Sequence, residues 1–139
     1  MNVISMLKER WKDTNYPFLI HSDGTLKFQE ITDQKTLNLS DVKNGDVVAL
    51  IGDFDPRSIM TLLQLIERNV ILVPLTIDTK SQHEYFFESA LVDVVVEGYA
   101  VRRIKHSSKH KLIENLRSKN HAGLILFSTG TTGRPKAIL

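Results

Sequence analysis

Cysteine is absent from the 139 residues. That excludes disulfides, thiolate nucleophiles and any cysteine-ligated metal, and it is compatible with a reducing compartment. Aromatic residues make up only 7% of the chain. None of them falls between Arg102 and Lys119, where seven Lys and Arg face Glu114 alone, so the most basic stretch has no ring on which a base would stack. Charge of one sign is not in excess. The balance of 18 Lys and Arg against 16 Asp and Glu leaves +2, too little to mark a nucleic-acid binder. No apolar run approaches the ~18 residues of a membrane span. Residues 1–12 carry Lys8, Glu9 and Arg10 in an amphipathic pattern instead of the apolar core of a signal peptide. These absences predict a soluble, cytoplasmic protein with no nucleic-acid partner and no membrane span. The remainder is ordinary: 42% apolar and 24% charged residues allow a real core, and the length suits one domain of about 100–200 residues.

Apolar spacing organises the chain. Val3, Ile4, Leu7 and Trp11 share one helical face. Residues 18–21 and 25–28 flank Ser22-Asp23-Gly24, an Asp-Gly hairpin signal. A weaker helix is expected over residues 30–39. A β-α-β-α alternation follows, with strands over 46–51, 70–73, 93–96 and 122–127. Asp55-Pro56 supplies an N-cap and a first-turn proline, and Ile59, Leu62, Leu63 and Ile66 form the stripe of the helix it opens. Pro74 is expected to end the second strand. Ser81-Gln82-His83-Glu84 reads as a capping box before a helix bearing Phe86, Phe87, Ala90 and Leu91. Residues 101–104 suit a short hairpin strand, and 109–119 a polar helix with Leu112, Ile113 and Leu116 inward. Apolar runs without alternation mean strands buried on both faces. The fold class is therefore α/β: a largely parallel sheet flanked by helices, with an N-terminal helix and a small hairpin, ending at a phosphate-binding loop.

That loop is the richest segment. Leu124-Ile-Leu-Phe127 runs into Ser128-Thr129-Gly130-Thr131-Thr132-Gly133-Arg134-Pro135-Lys136, and Ile138-Leu139 reads as a new strand. Gly130 and Gly133 let backbone N–H groups approach an anion. Ser128, Thr129, Thr131 and Thr132 add hydroxyls, and Lys136 a mobile charge. The spacing is not that of a Walker loop, because Pro135 and Ala137 stand where Gly and Ser or Thr are required. A turn of purely conformational origin is the bland alternative. At the carboxyl end of a strand, the loop lies where open α/β sheets place their ligands.

Residues 128–136 resemble the phosphate loop of the AMP-forming acyl-adenylating enzymes: acyl-CoA synthetases, adenylation domains of peptide synthetases, and luciferases. Their pattern is close to Thr/Ser-Ser-Gly-Thr-Thr-Gly-x-Pro-Lys-Gly. Thr129 replaces the usual Ser and Ala137 the final Gly. Upstream, residues 18–31 resemble the family's opening hairpin and first helix, Asn44-Gly45-Asp46-Val47-Val48 its Gly-Asp-x-Val strand start, and residues 69–75 its Gly-Ala-x-x-x-Pro-Leu strand, with Asn69-Val70 in place of Gly-Ala. The resemblance implies that a carboxylate attacks ATP to give an acyl-adenylate and pyrophosphate, after which a thiol of coenzyme A or a carrier's phosphopantetheine takes the acyl group. It implies ATP, a small carboxylic acid and Mg²⁺, with an acyl-carrier protein as a possible partner. Ser128, Thr129, Gly130, Thr131, Thr132, Gly133 and Lys136 are the implied nucleotide ligands; no catalytic residue and no metal ligand is assigned. Family enzymes are several times longer, so residues 1–139 are expected to be the N-terminal portion of an AMP-binding domain, inactive alone. A stand-alone nucleotide- or anion-binding module and a non-catalytic interaction domain remain the alternatives.

Other features point to structure more than chemistry. Asp53 and Asp55 suit a solvated residue and a helix cap better than a carboxylate pair. The basic stretch from Arg102 suits a solvated helix face and loop. His106 and His110 are four apart with no third ligand in view. Phe86 and Phe87 suit a core better than a cofactor stack. His21, His83 and His121 are assigned nothing.

Overall fold

In the computed structural model, which describes residues 3–129 and 133–139, the apolar runs become neighbouring strands of one sheet. The elements are α1 (Val3–Trp11), β1 (Leu19–His21), β2 (Gly24–Leu26), α2 (Phe28–Thr32), β3 (Val47–Ile51), α3 (Pro56–Glu67), β4 (Ile71–Leu75), a 3-10 turn (Ile77–Gln82), α4 (His83–Ser89), β5 (Val94–Glu97), β6 (Ala100–Arg103), α5 (Lys111–Ser118), β7 (Gly123–Leu124), β8 (Leu126–Phe127) and β9 (Ala137–Ile138). The main sheet runs β6-β5-β3-β4-β7. β3 pairs in parallel with both β4 and β5, and β4 with β7, while β6 closes one edge antiparallel. Of the four strands expected to be parallel, the first three are so, and the fourth is parallel only over Gly123–Leu124.

Side-chain alternation on β3 explains its unbroken apolar sequence. Val47, Ala49 and Ile51 face a layer with Phe86 of α4, Ala90 just after it and Ile113 of α5. Val48 and Leu50 face the opposite layer with Leu65 of α3 and with Leu39 and Val42. Every residue of β3 is buried, as a central strand covered on both faces requires. A third cluster joins Ile4, Leu19, Phe28 and Ile31 to Met60 and Leu63 of α3. α3 is thus packed on two sides, against the sheet and against the N-terminal hairpin and helices. Its buried residues are Met60, Thr61, Leu63 and Leu65; of the stripe expected from spacing only Leu63 is among them, and Ile59, Leu62 and Ile66 are half-buried.

Four sequence expectations are corrected. The helix foreseen over 30–39 is α2, earlier and shorter. The Glu30 carboxylate accepts the Lys27 N–H at 2.7 Å to start it, and it ends at Asp33. Leu37 instead donates its N–H to Gln64 Oε1 on α3, and Leu39 is buried under the sheet, so tertiary contacts hold this segment outside any helix. Pro74 does not end β4 but lies within it, opposite Leu50. Ser81 caps no helix, because the 3-10 turn precedes α4 and Gln82 holds the cap position without a side-chain bond. Leu112 points outward, 55% exposed, and only Ile113 of α5 is fully buried.

One local signal held in full. Asp55 caps α3, accepting the Ser58 N–H at 3.0 Å and the Ser58 hydroxyl at 2.6 Å, with Pro56 at the first turn. Asn69, just after the helix, sits at φ 53°, a left-handed conformation that Asn tolerates better than other non-glycine residues. Burial alone would raise the Asp55 carboxyl, but hydrogen bonds from Ser58, with the Arg57 charge, together hold it below its ordinary value. A carboxyl depressed in the folded state stabilises above its unfolded pKa of about 3.9 and loses that contribution as pH falls through the folded value. Below about pH 4, urea stability of the wild type is expected to drop more than that of Asp55→Asn, which keeps the capping oxygen without the titration. Identical acid slopes would refute this role.

The amino ends of the parallel strands are held by charge. Asp46 accepts from Arg103 at 2.6 Å, and Asp93 from Arg117 at 2.8 Å and from the Val47 N–H at 2.8 Å. Arg117 also donates to the Gly45 carbonyl at 2.8 Å, and the Asp46 hydrogen bond holds Arg103 above the ordinary arginine range against the effect of its burial. Two of the seven basic residues after Ala100 are thereby structural, and His106 donates from Nε2 to Asp93 at 2.7 Å. His110 caps α5 by accepting the Leu112 N–H. The two histidines serve different contacts and share no site.

Candidate functional site

The opposite edge of the sheet, at the carboxyl ends of β3 and β4, leads into the loop over 128–136. The strand expected over 122–127 is divided there. Gly123 and Ile125 donate to the Val70 and Leu72 carbonyls of β4. In a parallel ladder the next donor on that side would be the residue 74 N–H, which Pro74 lacks. The parallel pairing stops at that point, and Leu126 and Phe127 turn to pair antiparallel with Ile138 and Ala137. A single imino acid within β4 thus frees the stem of the loop from the main sheet.

The stem closes tightly. Ser128 donates its N–H to the Lys136 carbonyl at 2.9 Å, and Lys136 donates its N–H to Ser128 Oγ at 3.2 Å. The first hydroxyl of the motif and its lysine are therefore directly opposed. Thr129, Gly133 and Lys136 are exposed, and the Lys136 ammonium forms no ion pair with any described residue. Gly133 has φ +85° with open space around its Cα, so backbone angle and not crowding calls for glycine. Gly130, Thr131 and Thr132, the other members of the expected set, lie outside the described residues.

Beneath the stem, Phe127 packs on Phe86 of α4 with ring centroids 4.3 Å apart. This places Phe86 in the core, as its sequence context suggested, and fixes the loop's base to α4. A cavity of about 310 Å³ opens here, with Phe86 and Phe127 at its floor and Thr76, Thr79, Ser128 and Thr129 among its polar lining. A second, more apolar one of about 250 Å³ adjoins it across Pro74, Leu75 and Thr76 and reaches Gly52 and Ile59. A Cβ on Gly52 would lie 2.4 Å from Ser58 Oγ, so a larger residue there would have to displace the hydroxyl that bonds Asp55.

Two residues here had no sequence signal. His83 is buried, with Nε2 3.0 Å from the Thr76 carbonyl and 3.1 Å from Thr79 Oγ1; a carbonyl only accepts, so Nε2 carries the proton and pins the turn after β4. Tyr85 donates its hydroxyl to the Pro135 carbonyl at 2.7 Å. Among the described residues no group of three or more His, Asp or Glu is arranged to hold a metal ion, and no helix is long and apolar enough to cross a membrane.

No protein-family model matches the sequence, and no curated protein matches it. Solved structures do. The N-terminal subdomain of Klebsiella oxytoca NpsA, in complex with anthranilyl-AMSN, superposes with a TM-score of 0.65 at 18% identity over 98% of this chain. The fold is that of an adenylation N-terminal subdomain. VinN superposes with a TM-score of 0.60 at 17% identity over 99% of the chain. An artificially fused adenylation-PCP di-domain, NpsA-ThdA of the same organism, gives 0.64 at 18% over 98%. The chain spans 39%, 45% and 31% of those three proteins, less than half of each. The mostly parallel sheet with flanking helices is the layout that the apolar runs predicted.

Proposed function

We propose that this chain is the N-terminal part of an ATP-dependent, AMP-forming ligase that activates a carboxylic acid as an acyl-adenylate and passes it to a thiol of coenzyme A or of a carrier protein's phosphopantetheine. The observation that carries this reading is the Ser128–Lys136 closure at the carboxyl edge of the parallel sheet, in a fold shared with adenylation subdomains. That NpsA is solved with anthranilyl-AMSN, and in fusion with a PCP, supports an aryl or other small acid and a carrier as the partner chemistry.

The proposed division of labour is electrostatic. The carboxylate attacks the α-phosphorus of ATP, the bond to the β-phosphate breaks, and pyrophosphate leaves. Gly130 and Gly133 would offer backbone N–H groups, and Ser128, Thr129, Thr131 and Thr132 hydroxyls, to the departing phosphates. Lys136 would offset their growing charge. Preorganised donors of this kind stabilise charge as it develops, and holding the polyanion in line with the attack removes an orientational cost. The donor set of hydroxyls, glycine amides and one ammonium fits phosphate. It offers no carboxylate for Mg²⁺, which would arrive as the counter-ion of the nucleotide.

The test uses the chain as it stands. Titration with MgATP, followed through amide NMR shifts, is expected to move Ser128, Thr129, Gly133 and Lys136 first. Pyrophosphate exchange with ATP and a panel of carboxylic acids is expected to stay at the no-protein blank. Turnover above that blank would overturn the reading as a partial enzyme, and unmoved loop amides would overturn the phosphate assignment.

A further inference from the structure

The segment just before Lys136 is gripped by one side chain from far away in sequence. Tyr85 on α4 donates its hydroxyl to the Pro135 carbonyl at 2.7 Å, fifty positions along the chain. Its ring also lies under the Arg134 guanidinium, 5.0 Å from carbon to centroid. Pro135 has no N–H, so its carbonyl is its only backbone hydrogen-bonding group, and Tyr85 occupies it. The helix that carries Tyr85 is itself firmly seated, through buried Phe86 and Ala90 and through His83 on the Thr76 carbonyl. Across the stem, Lys136 is tied by its own N–H and carbonyl to Ser128. Its backbone is therefore held on both sides while its ammonium stays exposed.

We propose that Tyr85 is a positioning residue for Lys136: its hydroxyl fixes the loop exit so that the ammonium is presented ready-placed to the triphosphate of a nucleotide. This rests on the phosphate reading of the loop. The physical advantage is preorganisation, since a segment already ordered in the free protein gives up less freedom when the anion binds. The ring contact with Arg134 adds a cation–π component, which keeps that neighbouring charge against α4.

Tyr85→Phe tests the idea cleanly, because it deletes one oxygen while keeping the ring, its packing and the Arg134 contact. Amide exchange at Ser128 and Lys136, MgATP affinity by NMR titration and the thermal midpoint would be compared in wild type, Tyr85→Phe and Lys136→Ala. Tyr85→Phe is expected to speed exchange at those two amides selectively and to weaken MgATP by about three- to tenfold, the range of one lost hydrogen bond, with a midpoint close to wild type. Unchanged exchange and affinity in Tyr85→Phe, beside a clear loss in Lys136→Ala, would overturn the positioning role and leave the phosphate reading standing. Faster exchange throughout the chain with a lowered midpoint would also overturn it, by showing a merely structural contact. MgATP binding unaffected by Lys136→Ala would overturn the phosphate reading and this inference together.

Discussion

In the complete ligase proposed here, Lys136→Ala is expected to slow acyl-adenylate formation by roughly 10²–10³, the effect of removing one charge-assisted contact worth about 2–4 kcal/mol in the transition state. Thioester formation from preformed adenylate is expected to be nearly spared. The difference follows from the assignment: the ammonium is exposed at the mouth of the stem and is proposed to meet the β- and γ-phosphates, which are gone once pyrophosphate leaves. Lys136→Arg should restore only part of the loss, since a planar fork does not replace a compact ammonium. Single-turnover measurement of each half-reaction separates the cases. Equal slowing of both would mean that Lys136 acts through its backbone pairing with Ser128, holding loop shape for every step.

The second large effect is on stability. Leu65→Ala is expected to cost about 2–5 kcal/mol, against a total of about 5–15 kcal/mol for an ordinary domain. Leu65 is fully buried where α3 meets the sheet, in the cluster that holds Val48, Leu72 and Val94. Neither face of α3 is free to collapse into the vacated volume, because the N-terminal cluster holds the helix from its other side. Urea unfolding would show a lower midpoint with an unchanged slope. Leu112→Ala, in a residue 55% exposed, should stay within about 0.5 kcal/mol. A Leu65→Ala protein as stable as the Leu112→Ala one would contradict the packing described for α3.

The contrast between these two leucines shows what spacing conveys. Leu65 and Leu112 both lie in amphipathic helical windows, and spacing alone turned Leu112 inward and passed over Leu65. Periodicity records which residues of a helix are apolar, but how many faces are covered depends on neighbours distant in sequence. α3 has two packed sides and α5 has one, so spacing understated the first and overstated the second.

Pro74 carries the same lesson at the site. In sequence it reads as a strand end. In the fold its missing N–H faces the short edge pairing with β7, where it ends one ladder and lets Leu126 and Phe127 begin another. Asp46 and Asp93 carried no signal as ligands of Arg103 and Arg117, because the partners are 57 and 24 residues apart.

By itself the sequence determined what short-range forces decide. The Asp55-Pro56 helix start, the hairpin around Asp23-Gly24, the doubly buried strands and the hydroxyl- and glycine-rich loop all depend on residues within a few positions of one another. Backbone angles, caps and side-chain alternation act over that distance. Tertiary structure decided the rest: the split of the last strand at Pro74, the two-sided burial of α3, the charge pairs under β3 and β5, and the hold of Tyr85 on Pro135. Each joins groups that meet only after the chain has folded, and no local spacing encodes a hydrogen bond between a helix and a loop fifty residues later.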